Sequence, residues 1–366
     1  MRRRDALKAG AAIGGLATAG CLGVFETESV WRNAPLVDDR PDAVYVPAGR
    51  EGMGTYGSAR AGRYAVALQY TFPHRFWTVS TRSTNKVEVG EKDSLHLMAT
   101  IWDAETGFVL PVEPRLELRR DGSIAASRTL WTMLSQRMGF HYGDNLQLDD
   151  EGTYVAEIRL LPMDADAVGE LAGQFQSAET VEMEFEYDTD DIYDLEYDQI
   201  DESRRGDRGA VPLMRHGGGT GDGSDDAVAE PIPTVPAPED LPGQLLGTAT
   251  SGDAAFAAAL VPAGSRFGDE QYLLVSPRTP YNRIPLPLMG LSATVTQGGG
   301  GEPVFEDSLS SAVDGRVGIH YGATVPDLQQ GDSVTISIDT PPQASRHDGY
   351  ETAFFEMPPV ELTLGE

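Results

Sequence analysis

His96 and Met98 stand two residues apart in an apolar run, so on a strand both side chains leave the same face. Met133 and His141 bracket Leu134-Ser-Gln-Arg-Met-Gly-Phe140, a loop that can fold back and set a thioether beside an imidazole. His with Met is a soft to intermediate donor set, suited to copper above all and acceptable to iron or zinc where carboxylates assist. The competing reading makes Met98 and Met133 ordinary core and leaves the imidazoles hydrogen-bonded to nearby backbone. The chain has only six histidines, few enough to weigh singly. His74, in Phe72-Pro-His-Arg-Phe-Trp77, and His216 read as incidental.

The elements that must position these residues are short and period-two: 64–70, 94–101, 115–119, 154–160 and 181–187, then 254–261, 271–275, 291–295, 333–338 and 360–364. Runs of that length and alternation, broken by turn residues, predict antiparallel β-sandwiches. Only 164–175 hints at a short helix. The halves also repeat: Gly139-Phe-His-Tyr-Gly143 with Gly152 eleven residues after His141, and Gly318-Ile-His-Tyr-Gly322 with Gly331 eleven after His320. Asp93-Ser-Leu-His96 matches Asp269-Glu-Gln-Tyr272, each followed fifteen residues on by a Leu-Pro proline, Pro111 and Pro287. Landmarks in register predict two copies of one domain. The expected fold is all-β, with sandwich domains over 41–190 and 243–366 and a disordered acidic, Gly- and Pro-rich linker over 191–242.

The chain carries 28 Lys+Arg against 57 Asp+Glu, a formal charge of −29, which excludes nucleic acid as partner. Lys8, Lys86 and Lys92 are the only lysines, a balance expected of a protein adapted to high salt. Arg3, Arg4, Leu7 and Lys8 resemble a twin-arginine export signal, and Thr18-Ala-Gly-Cys21 resembles a lipobox. Residues 1–21 therefore read as a lipoprotein signal, with Cys21 lipid-modified, and 22–40 as a tether. Removing residues 1–20 leaves 24 cations and 56 acids, a charge of −32. The expected location is the extracellular face of the membrane, held there by lipid. No Gly-x-Ser-x-Gly elbow, Walker loop or His-Glu-x-x-His occurs, so an enzyme is not expected.

The segment from Gly139 to Tyr154 resembles the periplasmic iron-transport protein family, iron-regulated immunoglobulin-like domains that bind copper or iron beside a high-affinity iron permease. The resemblance implies that His96 is the family's early strand histidine, with Met98 where the family has Glu. It matches Met133 to the family's Met with one extra loop residue, and His141 to the loop histidine. In the second half Tyr272 and Leu274 replace the early pair, His320 matches the loop histidine, and Thr340-Pro-Pro-Gln-Ala-Ser-Arg-His347 resembles the family's late segment. Tyr142 and Tyr321 would be hydrogen-bond donors behind the ligands.

Two partial sites can be read in three ways, in order of preference. The first domain binds a soft metal through His96, Met98, Met133 and His141. The second binds through His320 and His347 with carboxylates such as Asp307 or Asp348. Or the two copies mimic a homodimer and share one composite site. The expected function is a cell-surface lipoprotein that binds iron or copper and supports its uptake with a membrane permease. The alternative is a structural or adhesion module of the envelope that binds no metal.

Overall fold

The structure, a computed structural model, describes residues 35–214, 231–298 and 301–364, and within them the chain is all-β apart from one short helix and three 3-10 turns. The export signal with Arg3, Arg4 and Cys21, most of the tether, and His216 lie outside the described residues. Among the described residues no helix is long and apolar enough to cross a membrane.

The first half contributes β1 (Gly49–Glu51), β2 (Gly54–Ala61), β3 (Tyr64–Thr71), β4 (Phe76–Ser80), β5 (Ser83–Val87), β6 (Leu95–Asp103), β7 (Pro114–Arg120), β8 (Ser123–Thr129), β9 (Trp131–Ser135), β10 (Gly139–Leu146), β11 (Gly152–Leu160), β12 (Asp166–Val168), β13 (Glu179–Tyr187) and β14 (Tyr197–Gln199). The second contributes β15 (Gln244–Ser251), β16 (Ala254–Val261), β17 (Gln271–Arg278), β18 (Gly290–Thr296), β19 (Pro303–Asp314), β20 (Gly318–Val325), β21 (Ser333–Thr340), β22 (Ser345–Arg346) and β23 (Val360–Thr363).

Alternation decides which faces are dry. In β13, Val181, Met183, Phe185 and Tyr187 are buried and the intervening glutamates exposed, so β13-β11-β7-β8 has one wet face. Strands β3 and β6 are buried on both faces, because a second set of elements covers their outer side. The larger first-half sheet runs β2-β3-β6-β10-β9-β22-β4-β5, and the second-half sheet runs β15-β16-β17-β20-β19-β18-β21-β23. Both halves thus order their hairpins alike, with the long strand β19 doing the work of β8 and β9 together.

The halves exchange strands. β22 leaves the second half and inserts between β9 and β4 of the first, pairing Ser345 with Met133 and Arg346 with both Leu134 and Trp77. In return, β12 adds in parallel to β19, pairing Asp166 with Ala312. One apolar cluster runs through both halves, from Val44 to Leu364.

Two expectations are corrected. Residues 164–175 form β12 and a 3-10 turn (Gly169–Leu171) rather than a helix, since β19 satisfies the backbone of β12 and Gly169 turns at φ +59°. Much of the stretch read as disordered linker, 191–214 and 231–242, is folded onto the body. Its scattered apolar residues carry it: Ile192 joins the main core, Ile200 and Val211 pack on Val46, and Val235 and Leu241 are buried, while the acids face water. β14 pairs with β1, and the Ile232 amide donates to the Gly107 carbonyl at 2.7 Å.

Gln136 pins three distant segments. Its buried amide donates to the Tyr45 carbonyl (2.7 Å) and the Gly349 carbonyl (3.2 Å) and accepts from the Val211 amide (2.8 Å). Deleting it strands the Tyr45 carbonyl and the Val211 amide, each costing about 1–3 kcal/mol when unsatisfied, while the Gly349 carbonyl keeps the Tyr45 amide at 3.2 Å. Gln136→Ala is therefore expected to lower unfolding stability by about 3 kcal/mol, read from the denaturant midpoint; a loss under about 1 kcal/mol would show that this bridge does not hold the halves together.

Candidate metal centre

One face of the eight-stranded sheet gathers the donors. β6 supplies His96 and Met98 two residues apart; β10 and β9 lie beside it, with His141 paired opposite Met133. β22 places Ser345 opposite Met133, so His347, two residues on, emerges on that same face. His74 reaches over from the turn after β3, whose last residue, Thr71, pairs with His96.

The imidazoles are close and dry. The ring centroids of His74 and His96 are 4.1 Å apart, those of His74 and His347 4.8 Å, and those of His141 and His347 5.2 Å. One nitrogen from each of His74, His96 and His347 lies within 4.8 Å of the others. His347 Nε2 is 3.3 Å from Met133 Sδ. His96 and Met133 are fully buried and His141 is 1% exposed, so water does not compete for their lone pairs.

Hydrogen bonds select the tautomers. His96 Nδ1 donates to Asn145 Oδ1 at 2.8 Å, an oxygen identified by the Asn145 amide donating in turn to the His74 carbonyl at 2.9 Å. That leaves His96 Nε2 as a buried lone pair with no hydrogen-bond partner. His141 Nδ1 donates to the Gly139 carbonyl at 3.1 Å, which turns its Nε2 into a lone pair as well. Gly143 keeps the space ahead of these atoms clear, because a Cβ there would stand 2.7 Å from His96 Nε2 and 3.3 Å from Met133 Sδ. A buried orphan nitrogen, a thioether and a gap kept open by glycine fit a soft or borderline cation.

Charge is arranged accordingly. Burial, and then the neighbouring imidazoles His74 and His141, hold His96 well below the ordinary imidazole range. Burial followed by His74, His141 and His96 does the same to His347, so both are neutral ligands at pH 7. Burial also opposes charge on His74, but the Glu51 carboxylate, 3.1 Å from Nδ1, and the Phe72 carbonyl outweigh it and raise its pKa. His74 Nε2 meets His347 Nδ1 at 3.0 Å, which forms a carboxylate–imidazole–imidazole chain behind the donors.

The sequence-predicted residues distribute unevenly. His96, Met133, His141 and His347 come together, and Met98 lines the cavity that opens beside His141 and His347. His320 does not join them. It lies in the second half with its Nδ1 on the Gly318 carbonyl (3.0 Å) and its Nε2 met by the Tyr272 hydroxyl (3.3 Å). There Tyr272 stands where the first half has His96, and Ala312 where it has Met133, so that lone pair is already satisfied. The pairing of His320 with His347 in one second-half site is corrected, because β22 carries His347 across to the first half. Asp348 is held by Arg75 (2.7 Å), and Asp307 is exposed.

Tyr142 and Tyr321 are not donors behind the ligands. Each follows its histidine by one residue and so faces the sandwich interior. Tyr142 Oη donates to the Leu110 carbonyl (2.8 Å) and accepts from the Val112 amide (2.7 Å), and Tyr321 bridges Leu286 and Met289 likewise. His74, read as incidental, belongs to the cluster. Its position could be inferred only from the β3–β6 register, which brings the residues after Thr71 back over His96.

The family model described as Domain of unknown function (DUF7350) matches residues 239–363. No curated protein matches the sequence. Among solved structures, the recombinant FetP of uropathogenic E. coli strain F11 is 20% identical, with TM-score 0.30, covering 37% of this chain and 95% of that one. A copper-bound variant of FetP is 21% identical with TM-score 0.31, covering 37% and 97%. The copper-reconstituted P19 protein from Campylobacter jejuni is 19% identical with TM-score 0.31, covering 37% and 96%.

Proposed function

We propose that the protein is a transition-metal-binding protein of the cell surface, with copper the best-matched ion and iron the second, and that it passes the metal to a membrane permease. The observation that carries this reading is the convergence of the buried His96 Nε2 lone pair with Met133 and His347 from opposite halves of the chain. Three imidazoles and a thioether, with no carboxylate among them, favour copper over harder ions. The cavity beside them is lined by Met53, Met98, Met138 and Met214, soft donors again. In this reading the halves are divergent copies of one domain that together build the composite site, and only one of two equivalent positions keeps its ligands. Export by the twin-arginine route and anchoring at Cys21 complete the proposal.

Calorimetric titration with copper ions is expected to show one tight site. His347→Ala is expected to weaken it by on the order of a hundredfold, about 2.8 kcal/mol, and His320→Ala to leave it unchanged. Equal binding in wild type and in a His96→Ala, His347→Ala double variant would remove the metal function and leave the envelope-module reading.

Gly143→Ala supplies an independent check, since Gly143 has no positive φ and the new methyl collides chiefly with His96. Copper affinity is expected to fall at least tenfold with little change in unfolding midpoint. Wild-type affinity in that variant would place the ion elsewhere.

Proton release gives a third. With its raised pKa, His74 is protonated near pH 6.5, and its Nε2 proton holds the His347 ring with Nε2–H toward Met133. Binding at His347 Nε2 moves that chain to His347 Nδ1–H donating to a neutral His74, a net loss of one proton. Affinity should therefore rise with pH up to the His74 pKa and level above it. Titrations in buffers of different ionisation enthalpy should report proton release on the acid side of the His74 pKa that fades above it. No release there would contradict the His74–His347 chain.

A further inference from the structure

Beside the imidazoles lies a cavity of about 340 Å3, within the size range of small-ligand sites. Four cations, Arg50, Arg75, Lys86 and Arg137, stand in its wall, although the chain has 28 Lys+Arg against 57 Asp+Glu. Arg75 is neutralised by Asp348 at 2.7 Å and Lys86 by Glu88 at 2.8 Å. Arg50 has only a solvent-exposed pair with Asp198 at 3.3 Å, and Arg137 has no ion pair among the described residues. The Nε atoms of Arg50 and Arg137 are both buried without a hydrogen-bond partner. Burial and then Arg50 depress the Arg137 guanidinium, against the weaker pull of Asp198 and Glu51. Two adjacent guanidiniums with orphaned donors are unfavourable unless an anion joins them.

The second half shows what is missing. Arg137 is four residues beyond Met133, which pairs with Ser345; Arg316 is four beyond Ala312, which pairs with Asp166. Arg316 is neutralised by Glu170, four residues beyond Asp166. Four residues beyond Ser345, where Arg137 would find its carboxylate, stands Gly349. No side chain fits there: φ is +90°, and a Cβ would lie 2.5 Å from Gln136 Nε2 and 2.7 Å from the Tyr45 carbonyl.

We infer that Arg137 and Arg50 bind a small carboxylate anion in this cavity, in place of the side chain that Gly349 lacks. A polycarboxylate fits the wall, with one carboxylate forked by Arg137 and another free to face the metal donors His141 and His347. The anion site stands on the arginines alone; only its use as a metal-carrying chelate rests on the proposed metal function.

Citrate titrated into the metal-free full-length protein at constant ionic strength tests it. One citrate is expected to bind, with affinity at least tenfold weaker in Arg137→Gln and in Arg50→Gln, and largely kept in His96→Ala, His347→Ala, which has no metal site. Arg137→Lys should recover part of the loss, since it keeps charge but not the fork. Absence of citrate binding, or wild-type affinity in both Gln variants, would overturn the inference while leaving the copper titrations to judge the metal centre.

Discussion

The insertion of β22 between β9 and β4 is the constraint on which the rest depends. Both its residues pair with β9 and Arg346 pairs with β4 as well, with Arg346 fully buried and its guanidinium donating to the Ala344 and Pro342 carbonyls. That pairing fixes the loop that follows to within one residue, and His347 is that residue. Because side chains alternate along a strand, a slip by one would turn His347 away from Met133 and leave His74, His96, His141 and Met133 of the first half without their partner from the second. The folding of the two halves against one another is therefore the same event as the assembly of the centre.

Around that event the electrostatics are arranged so that the donors stay neutral. Four imidazoles in contact, three buried and His347 half-buried, cannot all carry protons, and the one placed beside a carboxylate, His74 beside Glu51, takes the charge. His96 and His347 are thereby kept neutral. The second half shows what the same scaffold does without such a role: Tyr272 fills the lone pair of His320, Phe267 stacks on Tyr272, and Glu170 neutralises Arg316. The imidazole and the guanidinium that stand where the first half has His141 and Arg137 are thus both partnered.

Period-two runs made the all-β class legible, and the spacing of Gly-x-His-Tyr-Gly between the halves made their likeness legible too. What could not be read was which elements cross between halves. β22 has two residues and β12 three, too short for any alternation to show, and their pairing energy comes from strands over a hundred residues away. His96, Met133, His141 and His347 are visible as donors in the sequence, but their grouping depends on that crossing, so sequence alone places His347 with His320. His74 was passed over for the same reason. The acidic stretch after Tyr187 misled through composition: its few apolar residues, Ile192, Ile200 and Val211, sit where docking needs them, and an average hides such placement.

X-ray absorption at the copper edge on the loaded protein tests the central claim most directly. The account predicts imidazole nitrogens with one sulfur neighbour, the sulfur disappearing in Met133→Leu and remaining in Met98→Leu. An oxygen-only shell, or a sulfur signal indifferent to Met133→Leu, would contradict a centre built from both halves around Met133 and His347.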